Sequence, residues 1–349
     1  MPFTVDQLAL PIVQAPMGGG PSTPELAAAV ANAGGMGFLA AGYKSADAFA
    51  KEIGRLRELT SGPFGVNVFA PPDRAGDPAE VERYAAALEA DAERYGVAVG
   101  EPRHDDDGYD AKLTLLERER VDAVAFTFGC PSPAHIECLQ RSGAAVWITV
   151  TTTAEAFAAA TAGADALIVQ GFEAGGHRGS FAGDQPGDIG LLALLQLVRA
   201  AVDLPLVAAG GIADGRGVAA ALTAGAAAAQ LGTALMLADE AGTSPAHRAA
   251  LQGGAPTALT RAFTGRTGRG IANRFMAEHP DAPVAYPEIH NLTSPIRAAA
   301  RQQGDADGFH LWAGQAYPLT RAEPAADIVR RVADEAREAL AAAARRFGS

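Results

Sequence analysis

Residues 204–233 read LPLVAAGGIADGRGVAAALTAGAAAAQLGT. A short apolar run, LPLVAAG (204–210), ends at the glycine pair Gly210–Gly211. Asp214 follows, a side chain suited to cap the free N–H groups of a first helical turn. An alanine-rich segment then leads into a second apolar run, AAAQLGT (227–233). Strand, crossover helix and strand in this order is the unit of a parallel sheet.

Working outward, the unit recurs. PIVQAPM (11–17), MGFLAA (36–41), FGVNVFA (64–70), AVAFTFG (123–129), AVWITV (145–150) and ALIVQG (166–171) are further short apolar runs bounded by Gly or Pro. Amphipathic, alanine-rich stretches separate them, and Ser22-Thr23-Pro24-Glu25 is a second helix start. Eight evenly paced strand–helix units predict a closed (β/α)₈ TIM barrel, an α/β fold, over 1–236, in preference to a doubly wound open sheet. Residues 71–120 form an excursion with a Pro-Pro break, a helix near 78–96 and the run Asp105-Asp106-Asp107, read as a solvated turn. Residues 237–320 lose the alternation and read as a smaller, mainly helical domain over the barrel mouth. The Ala/Arg/Glu stretch 321–349, helical from Ala322 to Phe347, is expected to pack on the barrel exterior.

Bulk properties narrow the function. With 48% hydrophobic and 19% charged residues the chain reads as globular. A formal net charge of -12 argues against nucleic acid or an anionic membrane as partner, though a local basic pocket for one phosphate is compatible with it. The apolar runs are too short and broken for a transmembrane helix, and the start MPFTVDQ has no basic segment of a secretory signal. Cys130 and Cys138 match neither a metal pattern nor a disulfide framework, so a reducing cytoplasm is the expected setting.

Chemistry in such a barrel sits where strands end and βα-loops begin. Gly210–Gly211 and Gly232-Thr233 end neighbouring strands, where glycine lets backbone N–H groups approach an anion, the usual phosphate cradle of barrels. No strand ends in lysine, which argues against a Schiff base, and no GK[ST] motif exists. Glu173 and His177 stand at the mouth without further ligands in metal spacing, so no metal is expected. A phosphate site without metal or covalent nucleophile points to an organic cofactor. His177, in Gly175-Gly176-His177-Arg178-Gly179, is the candidate catalytic residue, as a proton acceptor or as a cation for an anionic substrate. His104, His135, His247, His279, His290 and His310 read as surface or structural, and Cys130 as a small buried thiol.

These residues resemble the nitronate monooxygenases, formerly 2-nitropropane dioxygenases. The resemblance rests on Pro16-Met17, Gly65-Val66-Asn67-Val68, Phe128-Gly129 with Pro131, Gln170-Gly171 through His177, Ala209-Gly210-Gly211-Ile212 and Gln230-Leu231-Gly232-Thr233. Gly268-Arg269-Gly270 with Asn273 and Leu311-Trp312-Ala313-Gly314-Gln315 add to it. It implies noncovalent FMN bound by Met17, Asn67, Gln170, Gly175, Gly176, Gly210, Gly211, Gln230, Leu231, Gly232 and Thr233. Asn67 and Gln170 would face the flavin ring, and Gly211, Gly232 and Thr233 the phosphate. It also implies His177 as the active-site histidine, oxidation of an alkyl nitronate by O₂ to a carbonyl compound and nitrite, and a homodimer as a compatible assembly. Some members carry a second histidine at the end of the fourth strand, where this chain has Thr127. Tyr286 and Tyr317 are candidates for a lid.

Two other readings compete. A flavin-dependent enoyl-ACP reductase shares the Gly-Gly-His loop and the Ala-Gly-Gly-Ile segment and would use NAD(P)H. A barrel that stores flavin without turnover is the alternative from another class, and a phosphosugar-binding barrel without flavin is a further one.

Overall fold

The computed structural model describes residues 3–72, 74–184, 187–346 and 348; Phe347, the expected end of the last helix, lies outside the described residues, as do Met1, Pro2 and Ser349. The chain runs through β1 (Ile12–Gln14), α1 (Pro24–Asn32), β2 (Gly37–Ala40), α2 (Ala46–Leu59) and β3 (Phe64–Phe69). The excursion follows as α3 (Pro78–Ala87), α4 (Glu89–Tyr95) and α5 (Tyr109–Arg118). The alternation resumes with β4 (Ala123–Thr127), α6 (Pro133–Ser142), β5 (Ala145–Val150), α7 (Thr153–Ala162) and β6 (Ala166–Gln170). A two-residue strand, β7 (Gly176–His177), precedes α8 (Leu191–Ala201), β8 (Leu206–Ala209), α9 (Gly215–Thr223) and β9 (Ala228–Leu231).

The parallel strands pair in the order β1-β9-β8-β6-β5-β4-β3-β2. A bridge between Val13 and Met36 joins the two ends, so the sheet closes on itself as a TIM barrel. The closure is extended by a side chain. Gln14, fully buried, donates from Nε2 to the Phe38 carbonyl at 2.9 Å and accepts from the Phe38 N–H at 3.2 Å. Its amide thus replaces the next backbone pair of the β1–β2 ladder. The expected helix starts form as capped turns: Thr23 accepts from the Leu26 N–H at 3.0 Å ahead of Pro24, and Asp214 accepts from the Gly217 N–H at 3.0 Å.

Strand periodicity of two decides what faces inward. On β5, Ala145 and Trp147 join Phe38, Met36, Ala123, Ala125, Ala166 and Ile168 in the barrel interior, while Val146, Ile148 and Val150 face the helices. Trp147 and Phe38, with ring centroids 5.5 Å apart, fill the space left by the small Ala and Gly positions. Replacing Trp147 by Ala would cost about 3–5 kcal/mol through the cavity it leaves.

After the barrel come α10 (Pro245–Leu251), β10 (Thr257–Thr260), β11 (Gly268–Ile271), α11 (Arg274–Glu278), α12 (Glu288–Gln302) and α13 (Ala325–Arg346). Residues 237–320 are therefore not helical alone: β11 pairs with β10 on one side and β7 on the other in a three-stranded antiparallel sheet. Gly268 lies opposite His177 and Arg269 opposite Gly176. The glycine-rich run carries no helical periodicity, and glycine lets the Trp312 ring and the Gly176 carbonyl come close to residue 268. α13 lies against α9 and α1, and the Gly215 N–H donates to Glu335 at 2.9 Å. The acidic run is less solvated than expected. Asp107 forms a 2.6 Å ion pair with Lys112, itself buried, and accepts from the Tyr43 N–H at 2.9 Å.

Candidate active site at the barrel mouth

The inward positions nearest the strand C-termini are polar: Asn67 on β3, Thr127 on β4, Thr149 on β5, Gln170 on β6 and Gln230 on β9. Together with the βα-loops they border a cavity of about 410 Å³. Met17, Asn67, Gln170, Gly175, Gly176, His177, Gly210, Gly211, Gln230, Gly232 and Thr233 all line it. Leu231 does not. Its neighbour Gln230 points inward, so strand alternation turns Leu231 outward into the core beneath the helices, and its carbonyl accepts from the Ala15 N–H at 2.8 Å.

Several of these side chains already hold the protein together. Asn67 Nδ2 donates to the Ala125 carbonyl at 3.2 Å and to Thr127 at 2.9 Å, which leaves Oδ1 for a ligand. Gln170 donates from Nε2 to the His177 carbonyl at 3.0 Å and accepts at Oε1 from the Gly179 N–H at 2.8 Å, so it orders the histidine loop. Thr233 accepts from the Gly314 N–H at 3.0 Å. Glu173 is turned to a helix start. Its two oxygens accept from the Leu191 N–H, 3.1 and 3.0 Å away, at the start of α8. A Cβ on Gly175 would meet the 313–314 backbone at 2.4 Å, so glycine is required there by a close backbone approach.

Two buried groups are left without partners at the cavity. Gln230 Nε2 and the Thr243 hydroxyl are buried and make no hydrogen bond. An unsatisfied buried polar atom is costly, and among the described residues neither of these two has a partner. Beside them Gly210 and Gly211 adopt φ of +105° and +70°, conformations that favour glycine and expose backbone N–H groups.

His177 faces this cavity within an aromatic enclosure. Its ring lies 5.6 Å from Phe128, 6.1 Å from Tyr286 and 5.2 Å from Trp312. Phe128 has φ +78°, a left-handed conformation that costs a phenylalanine on the order of 1–3 kcal/mol. That backbone turn puts its ring against His177, under the Arg266 guanidinium at 4.1 Å. His177 Nε2 is 2.8 Å from the Thr264 hydroxyl oxygen, and that hydroxyl is 3.2 Å from the Arg266 carbonyl. The tautomer in which Nε2–H donates to Thr264 satisfies both contacts at once, because a carbonyl only accepts, and it leaves Nδ1 its lone pair.

Burial, then the charges of Arg266 and Arg297, push the His177 pKa down to about 3. The imidazole is neutral at physiological pH, which favours the proton-acceptor role over the cationic one. Burial also raises the Cys130 thiol, which keeps it protonated.

Sequence reading missed other cavity residues. His247, His290 and His310, taken as surface or structural, line it, as do Arg297 and Arg301. His290, Arg297 and Arg301 stand at i, i+7 and i+11 on α12, which places them on one helix face, and that spacing is the signal that could have found them. Of the two lid candidates, Tyr286 packs on Phe128 at 5.5 Å, and Tyr317 also borders the cavity.

The comparisons with known proteins agree with this geometry. A family model described as nitronate monooxygenase matches residues 3–335. A nitronate monooxygenase of Pseudomonas aeruginosa is 42% identical over 341 residues, covering 94% of this chain and 96% of the relative. A solved structure of a nitroalkane oxidase from Streptomyces ansochromogenes superposes with a TM-score of 0.94 at 52% identity, covering 97% of this chain and 99% of that one. FabK from Thermotoga maritima is more distant, with a TM-score of 0.74 at 27% identity over 97% of this chain and 96% of its own. No helix among the described residues is long and apolar enough to cross a membrane. A match that spans nearly the whole sequence, with relatives above 40% identity, means that this chain belongs to the nitronate monooxygenase family and is an oxidoreductase.

Proposed function

We propose that the protein oxidises alkyl nitronates with O₂ to carbonyl compounds and nitrite, using FMN held at the barrel mouth. The observation that carries the reading is the pairing of a neutral, hydrogen-bonded His177 with orphaned polar groups in one cavity. The residues fit the cofactor. Gly210, Gly211 and Gly232 would hold its phosphate through backbone N–H groups, and Gln230 Nε2 and Asn67 Oδ1 would meet polar edges of the ring. Met17, Gly175 and Gly176 would border it. When bound, FMN supplies the electron acceptor and the route to O₂.

The chain's own residues do the rest. His177 Nδ1 accepts the proton from the carbon next to a nitro group when a neutral nitroalkane enters, and Thr264 fixes the ring that does so. Phe128, Tyr286 and Trp312 exclude water around the reacting carbon. Residues 1–236, 237–320 and 321–349 serve as barrel, cover and buttressing helix in this reading. Support for the cover comes from Arg297, Trp312 and Tyr317, which border the cavity from beyond residue 236.

The test is a visible spectrum of the purified protein, then oxygen uptake and nitrite release with propyl-2-nitronate. Separate anaerobic mixing with NADPH distinguishes the rival. Flavin bleached by NADPH and not by the nitronate would replace this reading with a reductase. A flavin-free preparation would remove it.

A further inference from the structure

Arg297 lies on α12 and is only 6% exposed, yet its side chain lines the cavity. A buried guanidinium is normally matched by a carboxylate. Here no carboxylate lies within ion-pair distance of it among the described residues. Its polar neighbours are neutral. Nε donates to the Thr293 hydroxyl at 2.9 Å, and Nη1 to His310 Nδ1 at 3.3 Å. Nη2 donates to the His290 carbonyl at 2.8 Å, with His290 Nδ1 at 3.2 Å and the Ser294 hydroxyl at 3.0 Å. These contacts hold the fork rigidly and leave one Nη1–H uncommitted.

The charge has no acidic partner among the described residues. Burial lowers the Arg297 pKa to about 10, so the group stays cationic at neutral pH. The two imidazoles against it are held neutral: burial, then Arg297, press His290 down to about 2 and His310 well below its ordinary value. One turn further on, Arg301 also borders the cavity, lies 5.0 Å over the Phe309 ring and likewise has no acidic partner among the described residues. The Trp312 ring lies 5.1 Å from the ring of His310, which Arg297 contacts, and 5.2 Å from that of His177, so a single indole separates the cation's partner from the proposed base. The glycines proposed to hold phosphate, Gly210, Gly211 and Gly232, are on the β8 and β9 tips instead.

We infer that Arg297 is the residue that binds the negative charge of the nitronate, and that it makes the site select anionic over neutral substrates. The inference rests on the reading of the cavity as a nitronate-oxidising site. A neutral His177 cannot supply that charge, and Arg297 offers a fixed donor with an unmatched cation. The same contact stabilises the anion that forms when a nitroalkane loses its proton to His177.

The experiment compares the flavin-loaded wild type with Arg297→Gln and Arg297→Lys. Nitrate, planar and monoanionic like the nitronate end, is the probe. It should compete with propyl-2-nitronate in the wild type and bind Arg297→Gln far more weakly by calorimetry. KM for the nitronate should rise on the order of 10- to 100-fold in Arg297→Gln, with KM for neutral 2-nitropropane moved much less. Arg297→Lys should recover most of the loss, and flavin content should stay constant in both. Equal effects on the charged and neutral substrates, or undiminished nitrate binding, would overturn the inference. So would loss of flavin, because the cation would then serve the cofactor's phosphate. If Arg297→Gln does not fold, absence of competition by nitrate in the wild type overturns it equally. A wild type that turns over no nitronate would instead sink the functional reading itself.

Discussion

Thr264 stands 87 residues downstream of His177, yet its hydroxyl oxygen lies 2.8 Å from His177 Nε2. The pair spans the join between the barrel and the segment that follows it, because β7 carries the histidine and pairs with β11 just beyond Thr264. The hydrogen bond fixes the ring plane and the tautomer of a group proposed to move protons. Thr264→Val keeps the shape and removes the acceptor. Its kcat/KM with nitroalkanes should fall roughly 10-fold through loss of orientation, while Thr264→Ser stays near wild type. Parallel steady-state assays of the two variants decide the matter, and an unaffected Val variant would show that the hydroxyl does not orient the base.

The depressed pKa of His177 sets the acid limb of activity. A base works only when unprotonated, so activity with nitroalkanes is present above the folded pKa and is lost as pH falls through it. With that value near 3, kcat/KM should show no histidine limb near pH 6.5. His177→Asn should lower kcat/KM for neutral nitroalkanes by about 100- to 10,000-fold and affect preformed nitronates far less. A profile that bends at pH 6–7 in wild type and loses the bend in His177→Asn would contradict this.

Stability should fall in mild acid. His247 is buried, donates from Nε2 to the Trp312 carbonyl at 3.1 Å, and has its pKa lowered by burial to about 4. An unfolded chain takes up its proton below pH 6.5 while the fold does not. The contribution is therefore fully present above 6.5 and is lost as pH falls toward 4, by up to about 1.4 kcal/mol per pH unit. Urea titrations of wild type and His247→Gln across this range should show a shallower pH slope in the variant.

Gly211 offers a test of the phosphate cradle. Its φ of +70° and the Glu173 Cβ, which would sit 2.9 Å from an added methyl, both resist alanine. Gly211→Ala should cost about 1 kcal/mol or more of stability and lower the flavin content of the purified protein. Flavin absorbance per mole of chain measures it, and full occupancy in the variant would place the phosphate elsewhere.

Much of the barrel was legible in the sequence because buried parallel strands leave a direct mark. The apolar runs 145–150 and 166–171 became β5 and β6 with at most one residue trimmed. Gly210–Gly211 and Asp214 marked a strand end and helix cap that the structure contains. The resemblance groups Leu231 with the ligand-facing residues around it, whereas strand alternation from Gln230 turns its side chain outward into the core. The β10–β11 pair was missed because Gly268 and Gly270 carry no strand signal of their own and are ordered by a tertiary partner at β7. His290 reads as surface or structural in the sequence; its i, i+7 spacing to Arg297 marks a shared face of α12, and the structure turns that face to the cavity.

The pairing of β7 with β11 has a consequence for synthesis. All eight barrel strands leave the ribosome before Thr264 and β11 do. A nascent chain can therefore close its barrel while the imidazole loop still lacks its edge strand and its hydroxyl partner. The barrel alone, cut after its last strand, should be a scaffold with an unoriented base, and reactivity arrives with the final third of the polypeptide.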